Sequence, residues 1–343
     1  MACISFSRQH RTTQDSLRSQ TSRRQRSIWI QSLVFALCFV GTTHVALSDP
    51  LQPKALSDES YGESFTAIAD LSDGTYALLQ YVFTNAGFGD GKAACRGLVV
   101  SPGKRGLNSA ARFDRDEWRY DPQESSLTVG QCVLSTKGKR THFKVQTEQV
   151  TIDLQLNAAP KPVNPPSHRI RVDDDEFYEA EVLIPWSAAS AQVTTPTGKI
   201  ALKGTAYLDH TRSNTRLPKV ASKWLRFRGF TGDKPTLIEI RYSPKGQPSG
   251  WGWSRGDAKP TRLDLSGLKL HARRDAVRIE LPIGVLQTSA LIYRYRPAKE
   301  WGVLGRLAKP WVGDPETRTF RATLTRPDGT KISGIFEHAL ITQ

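Results

Sequence analysis

The chain lacks most of the features that announce a function. None of its 343 residues lies in an apolar run of the ~20 residues a membrane-spanning helix needs. No period of 20 to 50 residues recurs, which excludes a solenoid. Beyond residue 48 the histidines are His142, His168, His210, His271 and His338. They show no H-x-x-x-H spacing, and the cysteines there are only Cys95 and Cys132, 37 positions apart. No zinc set or other metal site is expected, and no cofactor. There is no Gly-x-Ser-x-Gly nucleophile elbow. Gly87-Phe88-Gly89-Asp90-Gly91-Lys92 lacks the spacing of a phosphate loop. Asp173-Asp174-Asp175-Glu176 lacks the spaced ligands and central Gly of a calcium loop and reads as a solvated acidic turn.

What is present begins with a leader pattern. Arg23, Arg24 and Arg26 precede the apolar run Ile28–Val40, and Ala46-Leu47-Ser48 follows. A basic stretch, a short apolar core and small residues are the order of a secretory signal. Residues 1–48 are therefore expected to be a signal peptide, and the mature protein to be exported to a periplasm or secreted. Removing that segment takes away six Arg and one Asp, which lowers the formal net charge from +15 to +10.

Export changes the meaning of the basic charge. A sequence pI near 9.8 suggests nucleic acid in a cytosolic protein. Here no dense Lys/Arg run appears, and an exported protein rarely meets nucleic acid, so none is expected as a partner. An anionic membrane surface is a more natural neighbour, beside a solvated basic surface with no specific partner. Cys95 and Cys132 fit a disulfide in an oxidising compartment and equally two buried thiols on neighbouring strands.

The hydropathy has the period of strands. Ile152, Leu154 and Leu156 alternate with Asp153 and Gln155, and Val277, Ile279 and Leu281 with Arg278 and Glu280. Similar runs at Thr75–Thr84, Leu127–Cys132, Phe177–Ile184, Ile200–His210, Leu237–Tyr242 and Lys331–His338 predict half-buried antiparallel strands. Ser72-Asp73-Gly74 and Pro327-Asp328-Gly329 mark turns. Leu217–Phe227 is the one modest helix candidate, and Ser243–Pro260 reads as a Gly/Pro-rich loop carrying Trp251 and Trp253. Four prolines between Ala159 and Pro166 interrupt the strands. The fold class is all-β, with one antiparallel barrel over 49–184 and a second over 185–343, each of a size to hold a small apolar ligand in its mouth.

Candidate site residues cluster after Lys203. In the apolar strand ending Tyr207-Leu208-Asp209-His210, Asp209 and His210 point to opposite faces. If Ile200, Leu202 and Leu208 define the inner face, His210 points in, and Tyr207 and Asp209 point out. The pair reads either as acid and base or as a satisfied core histidine beside a surface carboxylate. Trp224-Leu225-Arg226-Phe227-Arg228 alternates aromatic and basic residues, as in an apolar pocket with a guanidinium for a polar head, or as Arg stacked on Trp at the surface. Glu337-His338 is a second carboxylate–imidazole pair, able to approach Asp209 or His210 if the last strand closes the barrel.

The segment Gly204-Thr205-Ala206-Tyr207-Leu208-Asp209-His210 with Ala221-Ser222-Lys223-Trp224-Leu225-Arg226-Phe227 is similar to the fungal survival-factor family. It also resembles the carotenoid 1,2-hydratases (hydroxyneurosporene synthases). Gln80-Tyr81-Val82-Phe83-Thr84-Asn85-Ala86-Gly87, Trp118, Leu127–Gly130 and the ending Gly334–Ile341 extend the likeness over most of residues 60–343. The resemblance implies two lipocalin-like barrels in tandem. On the survival-factor side it implies binding or carrying a lipid such as a sphingolipid. On the hydratase side it implies adding water to a terpenoid double bond, with Asp209 as the proton donor and His210 and Tyr207 in support. The hydratase pattern continues with Asn and then Trp-Gly, where this chain has Thr211-Arg212-Ser213.

The expectation is an exported carrier of a hydrophobic ligand held in a barrel pocket. Trp224, Arg226, Arg228, Trp251, Trp253 and His338 would contact the ligand. The alternative is a hydratase or cyclase working on a terpenoid or polyketide chain by general acid catalysis at Asp209.

Overall fold

The structure is a computed structural model, and it describes residues 49–85, 91–166, 168–231, 234–296 and 315–341. The leader expected over 1–48 and most of the Gly87–Lys92 motif lie outside them. Among the described residues, the first sheet holds β1 (Gly62–Leu71), β2 (Tyr76–Thr84), β3 (Lys92–Val100), β4 (Leu107–Phe113), β5 (Trp118–Asp121), β6 (Ser126–Val129), β7 (Cys132–Lys137), β8 (Arg140–Gln146), β9 (Thr151–Leu156), β10 (Arg169–Arg171), β11 (Phe177–Thr195) and β12 (Gly198–Ser213). The second holds β13 (Lys223–Gly229), β14 (Thr236–Tyr242), β15 (Pro248–Ser254), β16 (Thr261–Arg262), β17 (Lys269–Ala272), β18 (Val277–Leu281), β19 (Gly284–Tyr295), β20 (Glu316–Thr325) and β21 (Lys331–Leu340).

The first sheet runs β4-β3-β2-β1-β12-β11-β9-β8-β7-β6-β5, with β10 paired to β11. It curls until β3 lies against β6 and β8, a nearly closed antiparallel barrel. The second runs β16-β15-β14-β13-β21-β20-β19-β18-β17 and forms a half-barrel. The protein is thus all-β and lipocalin-like in architecture. Among the described residues no helix is long and apolar enough to cross a membrane.

Alternation decides what fills each interior. Ile152, Leu154 and Leu156 of β9 join Phe143, Leu79, Tyr81 and Leu208 in the first core. Val277, Ile279 and Leu281 join Leu225, Phe227, Ile238 and Ile240 in the second. Cys95 on β3 and Cys132 on β7 are bonded to each other inside the first barrel, with Cα atoms 6.6 Å apart. Of the two readings open for these cysteines, the structure contains the disulfide.

Four local expectations are corrected. The division near Pro185 falls inside β11, whose 19 residues run on as a long antiparallel partner of β12, and the sheets separate only between Ser213 and Lys223. Leu127–Cys132 is not one strand, because Gly130 at φ 55° turns the chain into a tight hairpin. Helix within Leu217–Phe227 is limited to Leu217–Val220, and Lys223 onward is strand. The Ser243–Pro260 loop contains β15, where glycine permits close packing: a Cβ at Gly250 would sit 2.9 Å from the Glu239 carbonyl oxygen.

The two sheets meet back to back. A third apolar cluster lies between them, with Ile68, Tyr76, Leu98, Val182 and Tyr207 from the outside of the first barrel. Phe230, Leu237 and Ile335 come from the outer face of the second sheet. Arg321 of β20 fastens the seam through Asp70 at 2.5 Å and the Gly74 carbonyl at 2.6 Å.

Candidate functional site

The seam, not either interior, gathers Tyr207, Asp209, Arg226, Arg228 and Glu337. On β12, Tyr207 and Asp209 share the outward face, while Leu208 and His210 point into the barrel. On β13, Leu225 and Phe227 enter the second core, so Arg226 and Arg228 turn to the seam. A cavity of about 420 Å³ opens there. Its wall includes Tyr178, Tyr207, Asp209, Arg226, Glu239 and Trp251, with Pro165 and Pro166 at the side. The expected ligand space inside a barrel is thereby moved to a cavity between the sheets.

Asp209 is 6% exposed. Burial pushes its carboxyl above the usual carboxylate range, and Arg228, Arg226 and a hydrogen bond from Tyr207 only partly oppose it. Arg228 explains the weak opposition. It donates from Nη1 to Glu337 at 2.5 Å but stands 3.7 Å from Asp209, and its plane lies 4.5 Å from the Tyr207 ring. Glu337 goes the other way. Burial alone would raise it, but Arg228 and Arg226 outweigh burial, and it titrates below its ordinary range. Two buried carboxyls near one guanidinium are thus driven apart, the protonated form favoured at Asp209 and the ionised form at Glu337.

Arg226 is held by Glu239 at 3.0 Å and reaches the Tyr178 hydroxyl at 3.3 Å. It also stacks 5.3 Å over Trp224, whose own ring is buried and does not reach the cavity. Trp251 lines the cavity. Trp253, two residues on, instead lines a neighbouring hollow with Trp186 and Arg255.

His210 and His338 lie elsewhere. His210 stacks flat on Phe65 at 4.2 Å inside the barrel, with Nε2 2.6 Å from Glu63 and Nδ1 3.7 Å from Glu181. Burial lowers its pKa, yet Glu181 and Glu63 together raise it above the ordinary value, and it sits as a hydrogen-bonded core histidine between the two carboxylates. Glu63 in turn accepts from the Tyr61 hydroxyl at 2.6 Å. His338 faces away from the seam, next to Arg318 and Leu225 in register, and among the described residues neither ring nitrogen finds a partner. Of the Glu337-His338 pair it is therefore the glutamate that comes to Asp209.

Sequence reasoning missed Tyr178, Glu239 and Arg241, and it named Glu337 without weight. Glu239, Arg241 and Glu337 alternate with apolar or buried residues on their strands, a pattern identical to that of a solvated face, whereas Tyr178 stands in a run of three buried residues. Among the described residues no group of three or more His, Cys, Asp or Glu side chains is placed to hold a metal ion.

No family model matches the chain, and no curated protein matches it in sequence. Solved structures share its fold. An AttH-like protein (NE1406) from Nitrosomonas europaea is 15% identical, with a TM-score of 0.59 over 82% of this chain and 93% of its own. Kievitone hydratase from Nectria haematococca is 10% identical, with a TM-score of 0.57 over 86% of this chain and 92% of its own. CghA bound to Sch210972 is 11% identical, with a TM-score of 0.53 over 82% and 88%.

Proposed function

We propose that this chain is an enzyme that protonates a hydrophobic, unsaturated small molecule in the seam cavity, in the manner of a hydratase or cyclase. Asp209 is the proton donor. A carboxyl whose pKa is raised by burial holds its proton to higher pH than a free one and can give it to a double bond, and a general acid works best when its pKa approaches the working pH. Tyr207 orients the acid, and Arg228, tied to Glu337, lies behind it without stripping the proton. The single observation that carries this reading is Asp209, buried and facing a cavity large enough for a small ligand.

The fold is shared with a protein called kievitone hydratase, which supports the reading at the level of architecture, and Tyr207-Leu208-Asp209-His210 resembles the carotenoid hydratase motif with its Asp-His pair. A pure lipid carrier is the second reading. The aromatic walls Tyr178, Tyr207 and Trp251 favour it, since apolar contact contributes ~25 cal/mol per Å² of ligand surface buried. An exported setting suits either, because a disulfide such as Cys95–Cys132 persists in oxidising compartments.

The test is incubation of wild-type and Asp209→Asn protein with polyunsaturated isoprenoid and polyketide-type compounds in oxygen-18 water. Label entering a product with the wild type only supports hydration; an unlabelled isomer made by the wild type only supports cyclisation. Identical product profiles from both proteins reject Asp209 as the acid. Bound lipid recovered from a protein that converts nothing favours the carrier.

A further inference from the structure

The seam cavity carries charge that the proton donor does not use. Arg226 is neutralised by Glu239, and Arg228 by Glu337. Arg241, the next residue on the seam face of β14, also lines the cavity. Among the described residues no carboxylate lies within ion-pair distance of it; its guanidinium meets only the Ser249 hydroxyl, at 3.5 Å. Arg262, at the edge of the same cavity and paired through β16 with Trp251, has no ion-pair partner either. Among the described residues the wall therefore presents two guanidinium groups without an ion-pair partner beside an aromatic and aliphatic surface made by Trp251, Leu263 and Leu265.

We infer that Arg241 and Arg262 form the head-group subsite of this cavity, and that its ligand is an amphiphile with a carboxylate at that end and an apolar body extending toward Asp209. A guanidinium that has lost part of its hydration without gaining an anion is costly until one arrives. The planar fork matches a carboxylate with two parallel hydrogen bonds. Burial accordingly lowers the Arg241 pKa, with Glu239 opposing from a distance. Trp251 lies on β15, the strand between those of Arg241 and Arg262, and offers the flat apolar face on which the first part of the chain would lie.

The inference rests on the proposed reaction only in placing the tail at Asp209, and a neutral lipid would leave both cations unused. Octanoate and 1-octanol share a tail and differ in the head, so calorimetric titration of each isolates the subsite. Octanoate is expected to bind wild-type protein about tenfold or more tightly than octanol, the usual worth of a charge-assisted pair. Arg241→Met should bring octanoate down to the octanol level while leaving octanol binding in place, which shows the cavity intact. Arg262→Met, at an exposed position, should remove part of the preference. Arg241→Lys, which keeps the charge without the fork, should fall between. Equal affinity for the two ligands in wild type, undiminished octanoate binding by Arg241→Met, or no binding of either up to the solubility of octanol would overturn the subsite. The outcome is separable from the chemistry. Head-group preference without any turnover counts against the proposed hydration alone, and turnover without preference counts against the subsite alone.

Discussion

Arg228 sits 2.5 Å from Glu337 and 3.7 Å from Asp209, and this asymmetry sets the chemistry of the seam. One guanidinium serves two carboxyls on different sheets, and it commits to the one on its neighbouring strand: β13 pairs directly with β21, with Arg226 opposite Glu337. Asp209, on β12 across the seam, receives what is left. Its desolvation is then the larger effect, and its pKa is raised. Had Arg228 made its short contact with Asp209, the same buried aspartate would be an ordinary ion-paired carboxylate.

Glu337→Gln tests that arrangement directly. The amide cannot hold Arg228 with a charge, so Arg228 is released toward Asp209 and the Asp209 pKa falls. Infrared spectra at neutral pH should show a protonated-carboxyl band in the wild type that Asp209→Asn removes and Glu337→Gln weakens. Removing one partner of a buried pair costs up to about 3–5 kcal/mol, less here because Asp209 takes over part of the pairing. A band untouched by Glu337→Gln would show that burial alone sets the acid.

Asp209 also leaves a signature in stability against pH. Its folded pKa is raised, so between the unfolded value near 3.8 and that raised value the folded state holds more protons than the unfolded one. Stability from this group is therefore full at low pH and declines as pH rises through the folded pKa. Glu337 contributes the opposite slope, gained as pH rises, because its folded pKa is lowered. Urea unfolding across this range should show a decline in wild type that Asp209→Asn flattens. An unchanged difference between the two proteins at every pH would sink the assignment.

The faces of the strands were legible in the sequence, but not which faces were covered. Alternation correctly separates His210 from Tyr207 and Asp209, and Leu225 and Phe227 from Arg226 and Arg228. It reads Glu239 and Arg241 as solvent-facing for the same reason, since they alternate with Ile238 and Ile240. Period two reports which residues share a side; it carries no information about a second sheet docking on that side. The division between the sheets was hidden by β11 and β12, whose long antiparallel pairing carries the first sheet past Pro185 to Ser213. The ligand space was sought in the barrels because each half has the size of one, whereas the first interior is occupied by Phe143, Leu79, Tyr81 and their neighbours.

The Cys95–Cys132 bridge should matter to the first barrel as a whole. It closes a loop across a sequence separation of 37 and joins β3 to β7 where the two ends of the curled sheet approach each other. In the chain-entropy account a loop of that size is worth about 4 kcal/mol. Replacing both cysteines with alanine should lower the denaturation midpoint by a corresponding amount, while a reducing agent added to that double variant should change nothing further. Equal midpoints for wild type with and without reductant would show that the bond contributes little.

His338 gives the last and most separable prediction. It is 3% exposed, neither ring nitrogen has a partner among the described residues, and burial together with Arg318 and Lys223 pushes its pKa down to about 4, against a smaller opposing pull from Glu316. The folded state therefore favours the neutral ring, while the unfolded chain takes up a proton near pH 6.5. Between those values the unfolded state binds more protons, so stability is full above 6.5 and falls as the pH drops toward 4, by at most about 3 kcal/mol. His338→Leu fills similar space without the two unsatisfied nitrogens. It should equal or exceed the wild type in stability at pH 7 and should lose less on acidification to pH 4.5. Because His338 faces away from the seam, the same substitution should leave octanoate binding unaltered. A variant that is weaker at pH 7 and as acid-sensitive as the wild type would mean that His338 has partners in solution that the fold does not show.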